Sequence, residues 1–387
     1  LVEQRTENPC VPGSIPGGTT NSEIFRSRFF YGHICRVKIT KPTVVATEKA
    51  LCKALVKSLA GRRYVLLTDE QVTANCLPLL SDFLAAHQPL DIVEVEPGEV
   101  SKAGEVAIHL WSHFLELSVN KNDVLICLGG GSICDLGGFV AATYKRGIPV
   151  IFVPTTLLAM TDAAIGGKNG IDVDGVKNAV GLIRMPERIL VYPGFCATLS
   201  EVEFMSGYAE VVKHSLLEGA DLYEMIQEFN PEECLIPASL LRASIAVKHT
   251  VVRLDPLDQH KRLTLNFGHT VGHALEAACL VGGKPLPHGI AVAFGLQVEL
   301  RLSRLLKLLT PQEEERLQGL IRSQFERYYP NLPEWKDIQP YLLNDKKIAT
   351  GGLRIPVMEK PGMVDIHSLN ELDLLQSAYN QIVIARN

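Results

Sequence analysis

The stretch "DVLICLGGG" (Asp123–Gly131) decides the fold class. Its unbroken apolar run, Val124–Leu128, is too short for an ordinary helix and shows no alternation, so it reads as a strand buried on both faces. Three glycines then let the backbone turn at once into "ICDLGGFVAATY", a helical pattern. Working outward, "RYVLLT" (Arg63–Thr68) and "IPVIFVPTT" (Ile148–Thr156) read as further buried strands. "LDIVEVE" (Leu90–Glu96) reads as another strand, and "SKAGEVAIHLWSHFLEL" (Ser101–Leu117) has helical spacing. Apolar strands alternating with helices over 37–199 imply an α/β unit built on a parallel sheet covered on both faces. Such sheets bind ligands beyond the carboxyl ends of their strands.

From residue 200 the pattern turns helical. "SEVEFMSGYAEVVKHSLLEG" (Ser200–Gly219) opens on a capping box, Ser200 with Glu203, and stops at glycine. Helical spacing recurs over 240–253, 263–280, 288–308 and 311–328, and "GGLRIPVMEKPGMVDIH" reads as a closing hairpin. The expected organisation is an α/β half at 37–199, a mainly helical half at 200–387 and a cleft between them. Residues 1–36, rich in Pro, Gly, Ser and Thr without periodicity, read as a non-native or disordered extension.

At 387 residues the chain can bury two ordinary cores. A net charge of −5 gives no support for nucleic-acid or membrane-surface binding, and no apolar run approaches the roughly 20 residues of a membrane span. Nine cysteines without a CxxC pair suit free thiols in a reducing cytoplasm.

Several segments carry chemistry. Glycines 129–131 after a strand let main-chain N–H groups approach a pyrophosphate, although Cys134 stands where the dinucleotide fingerprint has its third glycine. A tight turn without a ligand fits that stretch equally well. "TDAAIGGKNGIDVDGVKN" sets Asp162, Lys168, Lys177 and Asn178 in a glycine-rich loop after a core strand. "GYAEVVKH" places Glu210 and Lys213 three apart among apolar neighbours, where an unpaired charge is costly. "LNFGHTVGHALEA" stacks His269 and His273 on one helical face, and "PLPHGIAVAFG" offers His288. Two core histidines satisfied by carbonyls would explain the pair. So would a two-histidine, one-carboxylate metal site of Glu210, His269 and His288, with His273 left as acid/base. Arg146, Lys168, Lys213, Lys248, Arg262 and Lys346–Lys347 would be tolerable together only around a multiply charged anion.

In this order the motifs "GGGSICDLGGFVAATYKRG", "PTTLLAMTDAAIGGKNGID", "KNAVG", "GYAEVVKH", "LNFGHTVGHALEA" and "HGIAVAFG" resemble the 3-dehydroquinate synthase family from about Arg63 to His367. The resemblance implies an NAD-binding α/β domain, a helical metal domain, one Zn or Co ion, and a homodimer. It implies conversion of 3-deoxy-D-arabino-heptulosonate 7-phosphate to 3-dehydroquinate and phosphate, in the shikimate pathway. By it Glu210, His269 and His288 are metal ligands. Asp162, Lys168, Lys213, Lys248, Arg262, Asn266, His273 and one of Lys346 and Lys347 (Lys347 preferred) line the substrate pocket. Arg146 reaches toward the partner subunit's phosphate site. The NAD positions are Asp69, Glu99, Lys102, Gly129, Gly130, Asp135, Thr155, Thr156, Lys177, Asn178, Thr198, Leu199 and Glu203. This chain departs from the pattern at Gln71, Asn169 and Pro193–Gly194. The competing readings are another sugar-phosphate cyclase, whose relatives usually change the trio Lys248, Arg262 and Asn266, and an NAD- and metal-dependent polyol dehydrogenase, which would have little use for so many cations.

Overall fold

The computed structural model describes residues 38–174, 176–343 and 352–386. The extension expected at 1–36 and the pair Lys346–Lys347 lie outside the described residues. In the first half the elements run β1 (Thr43–Val44), α1 (Glu48–Leu59), β2 (Tyr64–Asp69), α2 (Glu70–Asn75), α3 (Ser81–Ala86), β3 (Asp91–Val95) and α4 (Gly104–Glu116). They continue as β4 (Val124–Gly129), α5 (Gly131–Thr143), β5 (Val150–Pro154), β6 (Lys168–Val173), β7 (Val176–Ile183) and β8 (Arg188–Val191). Six of the strands form one sheet in the order β1-β8-β5-β4-β2-β3, every pair parallel. Every residue of the inner strands β2, β4 and β5 is buried, as their unbroken apolar runs require, whereas the edge strand β3 alternates between half-buried and exposed. The chain moves outward from β2 to β3, then returns beside β2 as β4 and moves the other way. The reversal leaves a crevice beyond the carboxyl ends of β2 and β4, at Asp69 and Gly129.

The second half is α6 (Glu201–Glu218), α7 (Ala220–Gln227), α8 (Ala238–Leu254), α9 (His269–Val281), α10 (His288–Leu305), α11 (Pro311–Phe325) and α12 (Trp335–Leu343). The antiparallel hairpin β9 (Leu353–Lys360)–β10 (Met363–Leu369) and α13 (Asp373–Ile384) close it. The capping box of Ser200 and Glu203 forms at the start of α6. α10 is buried along nearly its whole length, with α6, α9, α11 and α13 packed around it.

Two expectations need correction. The glycine-rich segment 168–183 is not an open loop but an antiparallel hairpin, β6–β7, whose exposed β7 face hides the alternation that marks a half-buried strand. The helix expected over 263–280 is broken: a tight turn at Lys261–Asn266 gives way to Phe267 and Gly268, and α9 begins at His269. Gly268 has φ +82°, and a Cβ there would meet Leu296 Cγ at 2.7 Å and the Val292 carbonyl at 2.8 Å. Opposite it, a Cβ on Gly295 would fall 1.9 Å from the Gly268 oxygen. The backbone of α10 touches the start of α9, and glycine is needed on both sides.

Candidate active site

β4 delivers the chain into Gly130 and the N-terminus of α5, which no side chain caps. Its first N–H groups therefore remain available to an anion. A cleft of about 340 Å³ opens there, lined by Asp69, Gly130, Thr155, Thr156, Thr198, Leu199 and Glu203 from the expected cofactor set. Gly129 ends β4 beside Pro154, at the rim of the turn. Thr155 is buried and its hydroxyl has no hydrogen-bond partner, an unmet polar atom at the crevice. Asp69 already caps α2, accepting from Val72 N at 2.9 Å.

The remaining expected cofactor residues gather where α5 meets the hairpin. Lys102 is buried, and its Nζ donates to Asn178 Oδ1 at 2.5 Å, Asp135 Oδ2 at 3.1 Å and Glu99 Oε1 at 3.2 Å. Burial raises the Asp135 pKa to about 6 against the opposing pull of Lys102. Asn178 holds φ +52° and gives its N–H to Asp172 at 2.6 Å, and Lys177 reaches across to Glu276 on α9 at 3.1 Å.

A larger cleft of about 660 Å³ adjoins this seam, and Asp162, Lys168, Asn178, Lys213, Lys248, Arg262, Asn266, His269, His273 and His288 all line it. Asp162 projects from one wide helical turn, Ala159–Ala163, directly after β5. It accepts from Lys248 at 2.5 Å and lies 3.9 Å from Lys213. Burial opposes its ionisation, but the two ammonium groups prevail and hold its carboxyl well below the usual range. Lys168 pairs with Asp258. Arg262 is 3% exposed, and among the described residues its guanidinium donates only to the carbonyls of Gly166 at 3.1 Å and Pro256 at 3.3 Å, while its main-chain N–H goes to Asp255. Among the described residues no carboxylate forms a salt bridge to it. Arg146 does not join this cleft. It is exposed on the turn after α5, about 20 Å of helical rise from Gly131.

At the cleft floor the rings of His269, His273 and His288 lie 5.2–5.5 Å apart, centroid to centroid. Ring nitrogens of all three fall within 4.8 Å of one another, so His273, expected as a free acid/base, also stands at ligating distance. Glu210 is fully buried, contacts Lys213, and holds Oε1 3.4 Å from His269 Nε2. Neither of its oxygens makes a well-formed hydrogen bond. His269 Nδ1 faces the Phe267 carbonyl at 3.3 Å, which leaves Nε2 free. Burial keeps that imidazole neutral, its pKa well below the ordinary value. A buried carboxylate with unmet oxygens beside the neutral imidazole of His269, with the His288 ring close by, fits a borderline divalent ion such as zinc or cobalt.

Three residues that sequence reasoning passed over support this floor. Asp258 holds Lys168, and Glu276 accepts from His288 Nδ1 at 3.1 Å. Glu276 sits seven residues after His269 on the histidine face, a spacing that could have flagged it. Glu299 on α10 is fully buried and accepts from Gly268 N at 2.6 Å and Val271 N at 3.4 Å. It caps α9 from another helix, a role local sequence does not reveal. Glu299→Ala is expected to strip these N–H groups of their acceptor and lower unfolding stability by about 3 kcal/mol, with Glu299→Gln losing less. Urea unfolding of the three proteins checks this; an unchanged midpoint in Glu299→Ala would remove the cap from the account.

The two-part fold, a parallel six-stranded α/β part followed by a mainly helical part, recurs in solved structures of synthases and of iron-containing alcohol dehydrogenase. The solved structure of 2-deoxy-scyllo-inosose synthase with carbaglucose-6-phosphate, NAD+ and Co2+ superposes with a TM-score of 0.78 over 89% of this chain and 98% of that one, at 21% identity. The family model described as 3-dehydroquinate synthase N-terminal matches residues 92–206, and its C-terminal counterpart matches 207–348. The 3-dehydroquinate synthase of Parabacteroides distasonis is 33% identical over 87% of this chain and 96% of its own length. The 2-epi-valiolone synthase of Actinosynnema mirum is 37% identical over 78% of this chain and 81% of its own. The chain belongs to the 3-dehydroquinate synthase family. Among the described residues no helix is long and apolar enough to cross a membrane.

Proposed function

We propose that the chain is itself a 3-dehydroquinate synthase, a carbon–oxygen lyase and cyclase that converts 3-deoxy-D-arabino-heptulosonate 7-phosphate to 3-dehydroquinate and phosphate. The observation that carries this reading is the set Lys168, Lys213, Lys248 and Arg262 on one cleft beside the Glu210–histidine floor. Cations so close repel one another and lose hydration, which a doubly charged phosphate and a carboxylate would offset. Arg262, buried without a paired carboxylate, suits the substrate's carboxylate in a bidentate grip, with Lys248 beside it. Lys168, Lys213 and Asn178 suit the phosphate. A relative that lacks a carboxylated substrate would have no use for that guanidinium.

Residues 37–199 would hold NAD, with its pyrophosphate at Gly130 and the start of α5 and its adenosine toward Asp69 and Glu203. Residues 200–387 would hold the metal through Glu210, His269 and His288. When bound, NAD accepts and returns one hydride; the metal polarises the hydroxyls it binds and makes them more acidic. His273, at the open end of the histidine face, can take the proton from the hydroxyl being oxidised, and Asn266 can hydrogen-bond the oxygen as charge develops. Lys168 and Lys213 neutralise the phosphate so that it can depart once the neighbouring C–H has been acidified. Arg146 suits a role across a homodimer, toward the phosphate site of a second copy.

The test mixes protein, NAD and the heptulosonate phosphate and follows inorganic phosphate. Release is expected with NAD present, to be lost on chelation and regained on adding Zn2+ or Co2+. Release from a non-carboxylated heptulose phosphate in preference to the heptulosonate would favour the other cyclase reading. No release from either would overturn both.

A further inference from the structure

We propose that Glu276 is a positioning residue for the metal floor, and that through Lys177 it ties the metal site to the β6–β7 hairpin. The inference rests on the reading of His288 as a metal ligand and goes beyond it. Glu276 Oε2 accepts from His288 Nδ1 at 3.1 Å, while its Oε1 accepts from Lys177 Nζ on β7 at 3.1 Å. One carboxylate, 22% exposed, thus spans a ligand of the helical half and a strand of the α/β half. With Nδ1 committed, Nε2 is the free ring nitrogen of His288. His269 is held in the same way, its Nδ1 turned to the Phe267 carbonyl. The two expected imidazole ligands therefore each carry a partner on Nδ1, one a backbone carbonyl and the other a charged side chain. A carboxylate on the far nitrogen fixes ring orientation and makes the ligating nitrogen more basic.

The link to Lys177 gives this contact a second consequence. The next residue, Asn178, is gripped by Lys102, which also binds Asp135 on α5. Displacing the hairpin would pull Lys177 from Glu276 and loosen the orientation of His288. Metal affinity and the position of the hairpin are thereby coupled, through the Lys177–Glu276 ion pair and the hydrogen bond from His288.

The test is a competition titration of Zn2+ against a chromophoric chelator, made on the full-length metal-free protein without NAD or substrate. Glu276→Ala is expected to weaken Zn2+ binding about 10- to 100-fold. Glu276→Gln, which keeps an acceptor for Nδ1–H, should recover part of that loss. Lys177→Met should weaken it about two- to five-fold, as befits a solvent-screened pair, and should add nothing further in the Glu276→Ala background. With Co2+ in place of Zn2+, the visible absorption bands should shift in Glu276→Ala and return toward the wild-type position in Glu276→Gln, a signature that mere loss of stability does not produce. His288→Ala serves as the reference. If it weakens binding more than 100-fold while Glu276→Ala stays within two-fold of wild type, the positioning role is wrong. If His288→Ala binds Zn2+ as tightly as wild type, the metal-site reading itself fails and takes the inference with it.

Discussion

Glu210→Gln is expected to lower NAD-dependent phosphate release by about 10³-fold, a rise of roughly 4 kcal/mol in the barrier. The size follows from what the substitution removes. Glu210 is a floor carboxylate with no exposure and no well-formed hydrogen bond, its charge set between the Lys213 ammonium and the His269 ring, where a divalent ion can share it. An amide offers that ion a neutral oxygen and leaves Lys213 with Asp162, 3.9 Å away, as its remaining counter-charge. Metal content after dialysis should fall with activity, while a thermal melt of the metal-free protein separates loss of ligand from loss of fold. Full activity with a full complement of metal in the variant would remove Glu210 from the ligand set.

The second large effect concerns Arg262. Its guanidinium is anchored by the Gly166 and Pro256 carbonyls and lines the cleft with no salt bridge among the described residues. Arg262→Gln is expected to lower kcat/KM for the heptulosonate phosphate by about 10²-fold, near 3 kcal/mol, the range of a charge-assisted contact. A substrate analogue without the carboxylate should lose far less on the same substitution. Comparing both substrates on both proteins isolates the carboxylate–guanidinium contact from any general disturbance. An equal loss on the two substrates would place Arg262 in the scaffold and not on the carboxylate.

Much of this could be read from the chain because burial and period coincide. β2, β4 and β5 are buried on both faces, so their sequences are continuous apolar runs, and the glycines after β4 mark its sharp turn into α5. The convergence of Lys168, Lys213, Lys248 and Arg262 was legible as a count of cations in apolar or glycine-rich surroundings. What stayed hidden is non-local. Nothing near Gly268 announces that α10 passes within backbone contact, so the break before His269 reads as continuous helix. Glu299 supports α9 from 31 residues away, and the hairpin 168–183 lacks alternation because one of its strands faces solvent. Asp258 and Glu276 read as ordinary surface acids until the fold sets a cation opposite each.

The contact between Gly268 and Gly295 bears on how this enzyme could be re-engineered. Trading glycine for alanine is a routine route to greater heat tolerance, because it narrows the choices open to the unfolded chain. At these two positions the added methyl would wedge the histidine helix away from its neighbour, spreading the very floor on which turnover depends. A hardened variant must find its gains elsewhere, for instance at Gly319 on α11, where a Cβ meets nothing within 4 Å. Gly61 is equally open but sits at φ +78°, where alanine is strained.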